Sequence, residues 1–391
     1  MRSPLVFILT AEESFTPTRS GAIATHAHAC CREAAAAGVE ALVLARPHEQ
    51  AAAYDDVTSV LFPAPAPPRG GATLMCRRAE RKLRQWSRLC HGRYVRRTAH
   101  ELSGRGLGDA TLVVHNDPEL VVGLRRRLPE ARLIHWFHNQ HPCKPRPRAA
   151  FAHCVDHCVA VSDFIRDWAR HAYRLDEAAI TRVYNGVDLD LFRPRADAEP
   201  NQRVRINFTG RTGVEKAPDV VLEAALRIAR RGRAPAFGVQ VIGANHWGDR
   251  TMDDYQRRLD ALADDLDREG VTVEMTGHLD RRETARRMRD ADIHVVPSRW
   301  PEPFGLTTVE GMACGLATVG SRTGATPEIF RDRGGVLFRN EDAAGLADVL
   351  EGLINEADRR RDLGRRGRRR AECFSWSETW AGLRGVLERA A

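Results

Sequence analysis

The sequence predicts an α/β protein made of two doubly wound, Rossmann-like lobes facing across a cleft. Three observations lead there. Strand-length apolar runs alternate with helix-length stretches along most of the chain. The alternation breaks once, at "FRPRADAEPNQR" (192–203), and then restarts. At 391 residues the chain also exceeds the size at which one core usually keeps growing.

In the first lobe "PLVFILT" reads as a buried strand, "GAIATHAHACCREAAAAG" as a helix opened and closed by glycine, and "VEALVLAR" as a second strand. After the loop "FPAPAPPRGGA" come a long basic helix and three further strands, "ATLVVHN", "ARLIHWFHN" and "HCVAVS". The second lobe repeats the rhythm with "VRINFTG", "FGVQVIG", "VTVEMTG", "ADIHVVPS" and "LATVGS". Helix-sized spacers between strands imply parallel pairing. Early strands end in Gly or a polar residue, the place where open α/β sheets hold ligands. The expected division is 1–191 and 192–374, with a C-terminal helix, about 375–391, packed back on the first lobe.

Composition narrows the function. Of 60 basic residues only Lys82, Lys144 and Lys216 are lysine, so the net charge of +8 reflects an arginine bias along the whole chain. Tracts such as "RRRDLGRRGRRRAE" are therefore weak signs of nucleic acid, and with 6% aromatics and no reading module no nucleic-acid partner is expected. No apolar run approaches the roughly 20 residues of a membrane span. "PLVFILTA" followed by "EESFT" is not a signal peptide, so a cytoplasmic protein is expected. The helix "AERKLRQWSRLCHGRYVRR" (79–97) places Leu83, Trp86, Leu89 or Cys90, and Tyr94 on one stripe. It reads either as an interfacial helix at a membrane or as a solvated helix packed on the sheet, and the arginine bias favours the second. Nine scattered cysteines argue against a disulfide framework. In "HCVDHC" (153–158) period-2 alternation would send Cys154 and Cys158 to one face and both His to the other, so a buried edge is preferred to a zinc site.

Two stretches carry chemistry. "FTGRTGVEKAPD" (208–219) follows the first strand of the second lobe and leads into a helix. Gly210 and Gly213 keep its backbone open, Pro218 suits a first helical turn, and Arg211 and Lys216 bracket an anion position at the helix start. The plainer reading is a surface turn in which Glu215 pairs with a neighbour. "PEPFGLTTVEGMACG" (301–315) sets Glu302 and Glu310 eight positions apart. Local pattern alone fits a plain loop followed by an exposed first helical turn as well as it fits a functional site.

Together these pieces resemble glycosyltransferase family 4, retaining nucleotide-sugar enzymes of GT-B fold. The matching segments are "VYNGVDLDLFRP", "TGRTGVEKAPD", "VIGAN", "TGHLDRRE", "VVPSRWPEPFGLTTVEGMACGLATVGSRTGATPEI" and "FSWSETW". The likeness covers nearly the whole second lobe and is looser in the first, where it rests on "SGAIAT", "HWFHN" and "VAVSDFIRD". It implies that the second lobe binds the donor. Glu302, first acid of an E-x7-E pair, would contact the donor sugar, and Glu310 would accept the ribose hydroxyls. The amides of Phe304, Gly305 and Leu306 would approach sugar and phosphate. Arg211 and Lys216, beside Gly210, would neutralise the diphosphate. His138 matches a cleft histidine near the donor sugar, against the plainer reading of a strand-end His bonded to backbone. Gly21 belongs to an acceptor-side glycine turn, though Ser20 stands where a second glycine is usual, and Ala325 likewise replaces a glycine in "GATPE".

The implied reaction moves a hexosyl or aminohexosyl group, from a UDP-sugar by preference, to a hydroxyl acceptor in glycoconjugate or natural-product biosynthesis. Neither cofactor nor metal is expected, since the cationic pair can do the electrostatic work and "DLD" (188–190) falls in the linker turn. A nucleotide-sugar epimerase of the same architecture would need acid–base residues of its own. A non-catalytic nucleotide binder would be expected to have lost Arg211, Lys216 or Glu302.

Overall fold

The computed structural model describes residues 4–18, 21–49, 51–61, 77–141, 145–195, 203–245 and 253–389, with the backbone alone for 77–90 and 332. Two compact units emerge: Met1–Tyr184 together with Thr379–Ala391, and Asn185–Glu378.

The first unit runs β1 (Leu5–Ile8), α1 (Ala22–Ala36), β2 (Ala41–Ala45), β3 (Ser59–Leu61), α2 (Arg77–Gly104), β4 (Thr111–His115), α3 (Pro118–Arg125), β5 (Arg132–Phe137), α4 (Pro145–Cys154), β6 (His157–Ala160), α5 (Asp163–Tyr173) and β7 (Ile180–Arg182). Its seven strands lie in the order β3-β2-β1-β4-β5-β6-β7, and every pairing is parallel. The order reverses between β1 and β4. Phe7, Ile8, Val113 and Val114 on these two strands are buried, so apolar burial on both faces fixes the centre of the sheet.

The second unit runs β8 (Val204–Thr209), α6 (Pro218–Arg231), β9 (Phe237–Ile242), α7 (Asp254–Arg268), β10 (Thr272–Gly277), α8 (Arg281–Arg289), β11 (Ile293–Val296), α9 (Leu306–Ala313), β12 (Ala317–Ser321), α10 (Thr326–Ile329), β13 (Val336–Phe338), α11 (Ala343–Asn355) and α12 (Ala357–Ala371). Here the order is β10-β9-β8-β11-β12-β13, again parallel throughout, with the reversal between β8 and β11. Helix starts follow local chemistry. Asp253, Asp280 and Asp342 each accept an amide proton at the N-terminus of α7, α8 and α11, and Pro218 opens α6.

Strands β3, β7 and β13, three residues each at or next to a sheet edge, have no strand signal in the sequence. "HCVDHC" also differs from expectation. Cys154 closes α4 and β6 begins only at His157, so the alternation that paired Cys154 with Cys158 is interrupted.

The units part at Tyr184, short of the expected break, for a local reason. Val187 donates its amide to the Phe374 carbonyl at 2.7 Å, and a Cβ on Gly186 would collide with the Trp376 ring. Arg368 caps the Phe192 carbonyl at 3.1 Å. These contacts fasten 185–192 to the second unit. The last helix, α13 (Trp376–Arg389), finishes in the first unit, where Arg132 donates to the Leu387 carbonyl at 2.7 Å. The apolar stripe proposed for helix 79–97 falls largely on side chains outside the described residues. Tyr94 is described: it is buried and donates its hydroxyl to the Leu9 carbonyl at 2.6 Å.

Candidate active site

The loops after β8 and β11 meet at the reversal of the second sheet, where such sheets hold ligands. After β8, the Gly210 amide donates to the Ile242 carbonyl at 2.9 Å, and its own carbonyl packs so close to Gly243 that a Cβ there would come within 1.9 Å. The chain then turns through Arg211 and Lys216 into α6. Asp219, in the first turn of α6, fixes this segment. It is buried, accepts both guanidinium arms of Arg299 at 2.9 and 2.8 Å, and takes a further hydrogen bond from Tyr255. Burial alone would raise its pKa, but the Arg299 and Tyr255 bonds outweigh it and hold the carboxyl below its ordinary range. The Arg299 amide also donates to the Glu215 carbonyl at 2.9 Å. One arginine thus ties the two loops together.

Across this junction Lys216 Nζ lies 2.6 Å from Glu302 Oε1, and the Ser298 hydroxyl donates to the same oxygen. Glu302 is buried, so this charge sits in a poorly solvated place and is matched by one cation and one hydroxyl. Its backbone is gripped too. The Ala325 amide donates to the Glu302 carbonyl at 2.8 Å, and a Cβ on Gly324 would meet that carbonyl at 2.3 Å. Gly305, at φ 87°, gives α9 a left-handed entry that an L side chain rarely adopts. Phe304 before it is buried against Phe374, and Leu306 begins the helix.

Glu310 lies one turn into α9, buried, with Arg281 Nη1 at 3.1 Å. Burial pushes its pKa up and Arg281 opposes the shift. The helix can lie this low because its next residue is Gly311, where a Cβ would come 2.3 Å from the His294 ring. His294 ends a polar row across four neighbouring strands, buried from His294 to Gln240 and exposed at Glu274: His294 Nδ1 to Asn207 Oδ1 at 2.8 Å, Asn207 Nδ2 to Gln240 Oε1 at 3.2 Å, and Gln240 Nε2 to Glu274 Oε2 at 3.0 Å. Desolvation brings the His294 pKa down to about 4, so the ring is neutral at pH 7.

In the first unit His138 follows β5. Its Nε2 and His115 Nδ1, at the end of β4, share a hydrogen bond of 2.8 Å, and its amide donates to Asn116 Oδ1 at 3.1 Å. His26 of α1 stands edge-on to His138 at 4.9 Å between ring centres. Gly21 caps α1, and Glu13 fills the space above it: Glu13 Oε1 accepts the Ala24 amide at 3.3 Å, and a Cβ on Gly21 would lie 2.5 Å from that oxygen. Burial raises the Glu13 pKa against two backbone hydrogen bonds, from Ala24 and Gly21, that lower it.

Comparison with known proteins identifies the chain. Residues 193–370 match the family model "Glycosyl transferases group 1", and residues 23–191 match "Glycosyltransferase Family 4". The chain belongs to the family 4 glycosyltransferases. It is 27% identical over 297 residues to spore coat protein SA of Bacillus subtilis, covering 71% of this chain and 77% of that one. It is 32% identical over 246 residues to D-inositol 3-phosphate glycosyltransferase 2 of Catenulispora acidiphila, covering 60% of this chain and 56% of that protein, little more than half the relative's length. Among solved structures, Anabaena HepE in complex with UDP matches 99% of this chain and 100% of its own, with a TM-score of 0.69 at 15% identity. Two parallel sheets of this order, with that likeness, make the fold GT-B.

Of the glycosyltransferase's sequence-derived residues, Lys216 and Glu302 are brought into contact, with Phe304, Gly305, Leu306 and Glu310 following on the same loop and helix. Arg211 stands apart from them. It is exposed and pairs with Glu215 at 2.9 Å, the ordinary ion pair that a plain surface turn would show. Sequence reasoning missed Arg281, Ser298 and the Arg299–Asp219 clamp, because one arginine among so many carries no signal. It also missed His26 and His115. The signal for these was a histidine inside a buried helix face and another closing an apolar strand.

Proposed function

We propose that this glycosyltransferase moves a hexosyl or aminohexosyl group from a nucleotide sugar, by preference a UDP-sugar, to a hydroxyl acceptor, with retention at the anomeric carbon and no metal at the phosphates. The observation that carries the reading is the Lys216–Glu302 contact of 2.6 Å at the sheet reversal, with buried Glu310 eight residues on. A UDP donor is supported by HepE, solved with UDP, with UDP and glucose, and with UDP-glucose.

In this reading Lys216 and Arg211 face the diphosphate, Glu310 accepts the ribose hydroxyls and Glu302 faces the sugar. The donor draws Lys216 from Glu302 toward the phosphate, and Arg211 leaves Glu215 in the same way. The bond from the anomeric carbon to the phosphate oxygen breaks, the acceptor oxygen bonds that carbon on the same face, and the acceptor proton passes to the departing phosphate. Once drawn to the phosphate, the two cations stabilise the charge that builds on the leaving oxygen. His138 is proposed to contact the donor sugar.

The experiment combines mass spectrometry of products from a panel of nucleotide sugars with calorimetry of UDP. One charge-assisted bond is worth about 1.5–3 kcal/mol, so Lys216→Ala should weaken UDP binding roughly tenfold or more. Unchanged affinity, with no transfer from any UDP-sugar, would overturn the reading.

A further inference from the structure

We infer that His26, His115 and His138 form a three-imidazole site for a divalent transition metal of the zinc class, at the sheet reversal of the first unit. The three come from separate elements, α1, the end of β4 and the residue after β5, and converge where an open α/β sheet holds ligands. One nitrogen from each lies within 4.8 Å of the others. Their ring centres are 5.6, 4.9 and 5.0 Å apart. Three imidazoles on one tetrahedral zinc, with Zn–N about 2.0–2.1 Å, put their ring centres roughly 5 Å apart, so the rings need only turn to close on an ion.

Two further observations point the same way. His115 is fully buried, yet its Nε2 has no hydrogen-bond partner among the described residues, which a buried polar atom rarely tolerates. Burial also holds all three imidazoles below their ordinary range, His115 at about 3, so at pH 7 they are in the neutral form that binds metal. His138 is the half-buried member of the three. A metal here occupies the His138 imidazole. Zinc is therefore an inhibitor of transfer, a consequence that, unlike the site itself, rests on the proposed function.

The test titrates the metal-stripped full chain with Co²⁺ and follows its visible d–d absorption. The expected result is one equivalent with tetrahedral intensity and no thiolate charge-transfer band, and an affinity at least tenfold lower in His26→Gln and in His115→Gln. X-ray absorption of the zinc-loaded wild type needs no variant to fold, and should give outer-shell scattering from three imidazoles. A thiolate band, the weak spectrum of the aquo ion, or unchanged affinity in both variants would each overturn the site.

Discussion

Glu302 and Glu310 stand on one short segment, yet each meets a different cation, Lys216 and Arg281. On the proposed reading the first acid acts in the transition state and the second on the nucleotide. Glu302→Gln should then lower kcat and kcat/KM together by tenfold to a hundredfold, about 1.4–2.7 kcal/mol of barrier, with UDP affinity nearly unchanged. Glu310→Gln should show the reverse balance. Equal loss of UDP binding in both, at normal kcat, would refute this division of labour. The two acids were picked out by the family resemblance, and Lys216 by that resemblance and by the rarity of lysine. Their partners were not, because an arginine's role here depends on which loop folds opposite it. His294 allows a prediction independent of substrate. Desolvation puts its folded pKa at about 4, below the ordinary 6.5. Its contribution to stability is therefore whole above pH 6.5 and is lost as pH falls toward 4, because only the unfolded chain takes the proton. Between pH 7 and 5 the loss amounts to about 2 kcal/mol, at ~1.4 kcal/mol per pH unit below 6.5. Urea denaturation at the two pH values should show that difference shrinking in His294→Leu. An unchanged difference would mean that His294 is not buried neutral.

At the scale of elements, the position of α9 depends on a glycine facing a ring. Gly311→Ala would place a methyl 2.3 Å from the His294 ring, and the packed helix has no cheap way to yield. Over-packing of this kind costs about 1–3 kcal/mol. The lift of α9 should also weaken UDP binding through Glu310, so denaturation and calorimetry should move together. A stable variant with normal UDP affinity would show that α9 is free to shift. The glycine was visible in "VEGMACG", but its reason was not: contact with β11 is a tertiary fact, and period-2 reading of "ADIHVVPS" gives no hint that His294 faces this helix. The central strands were legible because burial on both faces writes them as apolar runs. β3, β7 and β13 escaped because three residues at or next to an edge satisfy few hydrogen bonds and bury little.

For the molecule as a whole, the restart of the strand–helix rhythm was enough to read two sheets, and each sheet reverses once, at the kind of place where open α/β sheets hold ligands. On the proposed reading the second position is furnished with Lys216 at the turn into α6 and with Arg211, cations that would take up phosphate charge. If these cations do the work for which many transferases use a divalent ion, transfer should proceed at full rate in excess EDTA. Removal of zinc from the histidine cluster would at most raise that rate. If departing phosphate deprotonates the acceptor, the acceptor must approach from the face the phosphate leaves, and an α-linked donor must give an α-linked product. Anomeric coupling in the proton NMR spectrum of the product, taken before mutarotation of any free sugar, decides this. A β-linked product would require attack from the opposite face by an acceptor held there with its own base, and the retaining mechanism would fall. Loss of transfer in EDTA, restored by Mg²⁺ or Mn²⁺, would instead remove Lys216 and Arg211 as the groups that bear the leaving charge.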